Sequence, residues 1–185
     1  DNVRLVGLRN GRLFAVTSAV GAFVDVTAPT MPAPNPLDPS FRRPVGRAIF
    51  HPTDPETAWV AFGGYGVASG AHVWKTTALS TGAASWVASG QGIPDVPVNG
   101  LAVDPQFPAH VFAATDIGVY VSLDGGASWS PYSESLPRVA VFDIDIRSNA
   151  VRVLRIATHG RGVWERTPPT PVDPLFGNGF ENPVR

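Results

Sequence analysis

Residues 122–129, SLDGGASW, continue into SPYSESLP at 130–137, and their reading decides the fold. A serine, an aspartate, two glycines, a second serine and a tryptophan stand within eight positions. Such a set reads either as a catalytic cluster or as the tip of a β-hairpin. Gly125 and Gly126 take a positive φ without a Cβ clash, which a tight reversal needs. Asp124 folds its carboxylate back onto free backbone N–H groups of the turn, and Ser122 and Ser128 add hydroxyl bonds. Trp129 opens the next strand and packs under the hairpin, and burying its ring contributes about 1.5–3 kcal/mol. The stretch is therefore read as scaffold.

The same pattern returns along the chain. VGRAIFHPTDPETAWVAF (45–62) matches the start of VNGLAVDPQFPAHVFAATDIGVYVSLDGGASWSPYSESLP (98–137), with His51-Pro52 over Asp104-Pro105 and Trp59 over Phe112. After an insertion at GGYGVASGA (63–71), HVWKTT (72–77) falls over GVYVSL (118–123), and TGAASWVASGQGIP (81–94) over DGGASWSPYSESLP (124–137). A third copy is VFDIDIRSNAVRVLRIATHGRGVWER (141–166), and a worn fourth is RLFAVTSAVGAFVDV (12–26). Units of roughly 43–53 residues mark a repeat array.

Each unit reads as four short strands, at about 100–104, 110–115, 118–122 and 128–132 in the best copy. Apolar runs such as VFAA and VLRIA, without alternation, call for sheets covered on both faces. Four-stranded sheets stacked around an axis give both. The expected fold is all-β, a partial β-propeller of stacked four-stranded antiparallel blades, with about three and a half blades present. The expected division is a propeller segment at 1–167, with blades at about 1–43, 44–97, 98–140 and 141–167. A Pro/Gly-rich tail follows at 168–185.

Ser122-x-Asp124-x-Gly126-x-Ser128-Trp129 resembles the Asp-box, or BNR repeat, of sialidase-like, xyloglucanase-like and sortilin-type propellers. The resemblance covers roughly residues 1–167. It implies a ring of about six to eight blades, with the boxes structural and on the face opposite the active site. In the preceding copy Thr81 stands where Asp124 does, while Gly82 and Trp86 are kept, as suits a turn support better than a catalytic acid. The last copy lacks its fourth strand, and the first residues begin a blade of their own. The chain is therefore expected to be the C-terminal portion of a larger propeller. Upstream blades of the same protein or another chain would complete the ring, and the chain taken alone is expected to associate through apolar end faces.

Composition narrows the function. The chain is 44% hydrophobic with a formal net charge of −1, and no basic cluster suits nucleic acid. No apolar run approaches a membrane span, and the absence of cysteine removes disulfides and thiolate metal sites. His51, His72 and His110 lack metal-ligand spacing. Gly63, Gly64, Gly66 and Gly70 lead into a strand without Lys-Ser/Thr, so they form no phosphate loop. No metal or cofactor is expected.

Loops on the functional face are GGYGVASGA (63–71), TDIG (115–118), THGRG (158–162), GQGIPDVPVN (90–99) and SESLPRVA (133–140). Asp116 and His159 hold corresponding places in neighbouring units, joined on this face by Tyr65, Asp95, Arg138 and Arg161. An imidazole, guanidinium groups and carboxylates at a channel mouth suit a polar or anionic ligand. The alternative is that Asp116 and His159 only satisfy turn backbone. All five tryptophans are assigned to the core, Trp74 and Trp164 aligning with Tyr120 and Phe23 in the third strand.

FRRP (41–44) resembles the Phe/Tyr-Arg-Ile-Pro of sialidases, with Arg42 in the arginine place, but Arg43 replaces the isoleucine and the partner residues are missing. Xyloglucanase-type hydrolysis needs two carboxylates flanking the bond; Asp95, Asp116 and Glu134 are loop candidates that nothing pairs. The tail segment FGNGFE (176–181) is similar to endings on secreted bacterial proteins, or is a plain terminus. The expected function is a non-catalytic scaffold or binding segment of a secreted or surface bacterial protein, taking a protein or glycan ligand. The alternative is the C-terminal part of a glycoside hydrolase.

Overall fold

A computed structural model of the chain describes residues 3–18, 21–32, 43–132, 136–147 and 151–171. The candidate residues Arg42 and Glu134 and the segment 176–181 lie outside these. Among the described residues fourteen strands form four antiparallel sheets. Sheet one is β1 (Arg4–Gly7), β2 (Leu13–Val16) and β3 (Val24–Asp25). Sheet two is β4 (Val45–Phe50), β5 (Ala58–Phe62), β6 (Gly70–Thr76) and β7 (Val87–Gly90). Sheet three is β8 (Val98–Val103), β9 (Val111–Thr115), β10 (Gly118–Ser122) and β11 (Ser130–Tyr132). Sheet four is β12 (Val141–Arg147), β13 (Val153–Thr158) and β14 (Gly162–Arg166). Strand order follows sequence order in every sheet, as in a stack of propeller blades.

Three apolar clusters fill the seams between consecutive sheets. Leu13 and Ala15 meet Ala58, Val60, Phe62 and Trp74. Trp59, Ala61 and Val73 meet Val98, Leu101, Val111 and Ala113. Ala102, Phe112, Ala114 and Val121 meet Ile144, Ile146, Leu154 and Ile156. Central strands β5, β9 and β10 are buried at every position, which is why their residues do not alternate.

The first sheet is displaced by one strand from the sequence alignment. Gly46 lies against Val98 and Asn99, and Gly100 against Ile144, so β4, β8 and β12 start side by side. Gly7 instead lies against Val45, while Val3 sits beside Phe50 and His51, so β1 runs opposite to β4. Thus β1, β2 and β3 hold the second, third and fourth places of a blade. The third-strand aromatic of this sheet is Phe14, and Phe23 stands exposed before β3. Residues 26–44 thus follow the fourth-place strand of this sheet in the chain and precede β4.

Trp59, Trp74, Trp86 and Trp129 are in the core, but Trp164 is 39% exposed. Its strand β14 has no fourth strand beside it among the described residues, so that edge of sheet four is uncovered there. The outward face of sheet four also differs. Where sheet three carries the row Ala102–Phe112–Val121, sheet four carries Asp145–Arg155–Glu165, with Arg155 Nε donating to Glu165 at 2.8 Å.

The 122–129 hairpin is closed by its own side chains. Ser122 Oγ donates to Asp124 Oδ1 at 2.6 Å and accepts from the Gly126 N–H at 2.7 Å. Asp124 accepts from the Ser128 N–H at 2.9 Å and from the Ser128 hydroxyl at 2.5 Å. The tip then docks on sheet two. The Gly125 carbonyl accepts from Trp59 Nε1 at 3.0 Å and Lys75 Nζ at 2.9 Å, and the Gly126 carbonyl from Ser89 Oγ at 2.7 Å. At Gly126, with φ of 96°, a Cβ would come within 2.7 Å of Ser89 Oγ and 2.9 Å of Trp59 Nε1. In sheet two, where Thr81 replaces the aspartate, a 3₁₀ segment (Leu79–Ser85) takes the hairpin's place.

Burial works against the Asp124 charge, but the Ser122 and Ser128 hydroxyls and the Ser128 and Ala127 N–H groups outweigh it and hold its pKa at about 2. The folded value lies below the ordinary 3.8, so this stabilisation is complete above about pH 4 and is lost as pH falls towards 2. Asp124→Ala is expected to cost about 1 kcal/mol at pH 7, discounted for solvent screening, and nearly nothing at pH 2; urea melts at both pH values check this. The exposed Val6, Phe142, Val163 and Trp164 predict that the isolated chain self-associates, and a monodisperse monomer in sedimentation would contradict it.

Candidate functional site

One cluster is built around Asp95, in the linker between β7 and β8. Its Oδ2 accepts from the Gly66 N–H at 2.8 Å and its Oδ1 from the Val67 N–H at 3.0 Å. His72, buried in β6, places Nε2 2.9 Å from Asp95 Oδ1 and Nδ1 3.2 Å from the Phe62 carbonyl. Both ring nitrogens thus face an oxygen of a neighbouring segment. Asp95 thereby ties the 63–69 loop to the 91–97 linker. The N–H groups of Val67 and Gly66, aided by His72, hold its carboxyl below the usual carboxylate range against the effect of burial. Sequence reading set His72 aside for want of metal spacing. Its signal lay in the repeat, since the equivalent places in sheets three and four are Gly118 and Gly162.

A second cluster centres on Asp116, in the tight turn between β9 and β10. Asp116 Oδ1 accepts from Asn99 Nδ2 at 2.8 Å, and its Oδ2 from the Tyr65 hydroxyl at 3.2 Å. Asn99 also donates to the Val141 carbonyl at 3.0 Å, which ties the turn to sheet four. The hydrogen bond to Asp116 raises the Tyr65 hydroxyl pKa, and the Asp116 and Asp95 charges act the same way. The Asp95-bound loop therefore carries Tyr65 to Asp116, linking three of the expected residues through two blades.

Asp116 also lines a cavity of about 240 Å³ with Ile117, Tyr120, Tyr132, Leu136 and Arg138. Arg138 is exposed, and among the described residues no ion pair joins it to Asp116.

His159 and Arg161 are not drawn into this group. The His159 ring meets Phe142 edge-on at 5.5 Å, and the Arg161 carbonyl accepts from Trp164 Nε1 at 2.8 Å. No hydrogen bond or ion pair among the described residues joins either side chain to Tyr65, Asp95, Asp116 or Arg138. The described residues likewise contain no group of His, Asp or Glu able to hold a metal ion.

No family model and no curated protein matches the chain. Solved structures do. The extracellular domain of a putative one-component system from B. thetaiotaomicron is 18% identical, with a TM-score of 0.62 over 90% of this chain and 20% of that one. A GH74 xyloglucanase from Xanthomonas campestris is 14% identical, with a TM-score of 0.62 over 90% of this chain and 27% of that one. A GH74 enzyme from Niastella koreensis is 18% identical, with a TM-score of 0.59 over 89% and 26%. The chain thus spans a fifth to about a quarter of these proteins. At these identities the likeness shows the fold, and the chain is a β-propeller segment.

Proposed function

We propose that this chain is a non-catalytic propeller segment of the Asp-box type, whose loop face binds a glycan or protein ligand. One observation carries the reading: both described carboxylates of that face are engaged as acceptors. Asp95 serves two backbone N–H groups and His72, and Asp116 serves Asn99 and Tyr65. Glycoside hydrolysis needs one carboxyl to keep its proton until the leaving group takes it. Asp95 is held in the ionised form instead. Tyr65, more than half exposed and fixed by its hydroxyl, presents a rigid ring suited to stacking on a sugar or an apolar side chain. No described helix is long and apolar enough to cross a membrane. An extracellular or cell-surface setting is supported by likeness to the extracellular domain of a putative one-component system. Further blades, from the same protein or another chain, complete the ring.

The second reading is the C-terminal part of a glycoside hydrolase, with at least one catalytic carboxyl elsewhere. The likeness to GH74 enzymes favours it.

A glycan array and pull-downs with this chain test the binding reading. Tyr65→Ala is expected to weaken capture about tenfold or more, with His159→Ala and Arg161→Ala as companion variants on the same face. Capture unchanged in all three overturns the assignment. Turnover of β-glucans or sialosides that Asp116→Asn or Asp95→Asn abolishes would instead establish the hydrolase.

A further inference from the structure

Asp116 and Arg138 line one cavity with opposite charges, yet they are not paired with each other. The reason lies in the surrounding bonds. Asn99 and Tyr65 hold the Asp116 carboxylate from the β8 and 63–69 sides, and both are neutral donors, so among the described residues its charge meets no cation. Arg138 follows Pro137 at the start of the segment leading into β12. Its Cα lies 3.9 Å from where a Gly118 Cβ would stand, so its backbone abuts the base of the turn that bears Asp116. Side-chain bonds thus hold the Asp116 carboxylate, and a backbone contact holds the base of Arg138, at one cavity, and among the described residues neither charge has an ion-pair partner. Between them the walls are apolar or aromatic: Ile117, Tyr120, Tyr132 and Leu136.

We propose that this cavity is a binding site for a small zwitterion, namely a free α-amino acid with an apolar side chain. The ligand's carboxylate takes the fork of Arg138, its ammonium takes the lone pairs that Asp116 has left, and its side chain lies against Ile117 and Leu136. A carboxylate has about four acceptor positions, so two donors do not saturate it. Guanidinium–carboxylate pairing is bidentate and among the stronger polar contacts. A volume of about 240 Å³ is of the right order, since a cavity of about 150 Å³ holds a benzene ring. A purely anionic ligand would face the Asp116 charge, and a purely cationic one the Arg138 charge, without compensation. This site shares its face with the glycan or protein site proposed above but does not depend on it. A blank glycan array would leave it standing.

The test is titration of the whole chain with L-leucine, N-acetyl-leucine and leucinamide, followed by NMR shifts or calorimetry. Leucine is expected to bind at least about tenfold more tightly than either derivative, each of which lacks one charge. Arg138→Gln is expected to remove the preference for leucine over leucinamide and leave that over N-acetyl-leucine. Asp116→Asn is expected to do the reverse. Arg138 is exposed, so its variant keeps the fold and remains informative if Asp116→Asn unfolds the turn. Equal binding of the three compounds, no binding of leucine, or a preference unmoved by Arg138→Gln overturns the proposal.

Discussion

The structure depends on the insertion of two peptide carbonyls into the face of a preceding sheet. Gly125 and Gly126 turn their carbonyls into sheet two, where Trp59, Lys75 and Ser89 supply the donors. Stacked sheets held only by apolar contact would slide, because hydrophobic burial has no direction. Directed bonds from two buried donors and the half-buried Lys75 fix the register of one blade on the next. Lys75 also sits over the Trp59 ring at 5.1 Å. Burial pushes its ammonium pKa down, and the Asp124 charge pulls it the other way. The side chains of SLDGGASW shape the tip so that these carbonyls point outward. The box is therefore an inter-blade clamp as well as a closed turn.

The next seam reaches the same end without a box. After β14 the chain continues as Thr167-Pro168-Pro169, and Arg152 donates to the Pro168 carbonyl at 2.8 Å and also to that of Pro169. Arg152 in turn pairs with the fully buried Asp104 of sheet three at 3.0 Å and covers the Phe107 ring at 4.6 Å. The carbonyls following the third strand are thus held at both seams, in one by a lysine, an indole and a serine of the preceding sheet and in the other by an arginine of the same unit that reaches the preceding sheet through Asp104. Pro168 and Pro169, placed by composition in a tail, are part of this second clamp. The outward face of sheet four carries Asp145–Arg155–Glu165, and among the described residues it is the one sheet face so charged across three strands.

The blades were legible because each repeats a pattern of short apolar runs and turn residues. In 98–140 the strands fall within a few residues of the expected positions. The incomplete first sheet was misplaced by one strand. LFAV and GAFV look alike in sequence, and only the direction of β1 against β4 separates second-strand from third-strand places. Trp164 read as core because its repeat partners are core. Among the described residues β14 has no outer neighbour to cover it, which no local pattern encodes. In the loop face, residue types were legible but partnerships were not. Asp95, His72 and the 63–69 loop are brought together by a 3.0 Å and a 2.9 Å contact across 28 and 23 residues of chain. Such pairing depends on the rotation between blades.

The central claim is that closure of the tip and docking of its carbonyls form one unit, joined through Gly126. Its N–H is held by Ser122 and its carbonyl by Ser89. The direct measurement is a double-mutant cycle of Ser122→Ala and Ser89→Ala in urea denaturation. A coupling of at least about 0.5 kcal/mol is predicted, because each change loosens the same residue. Additive losses would contradict it, leaving the hairpin as a turn that merely lies beside its neighbour.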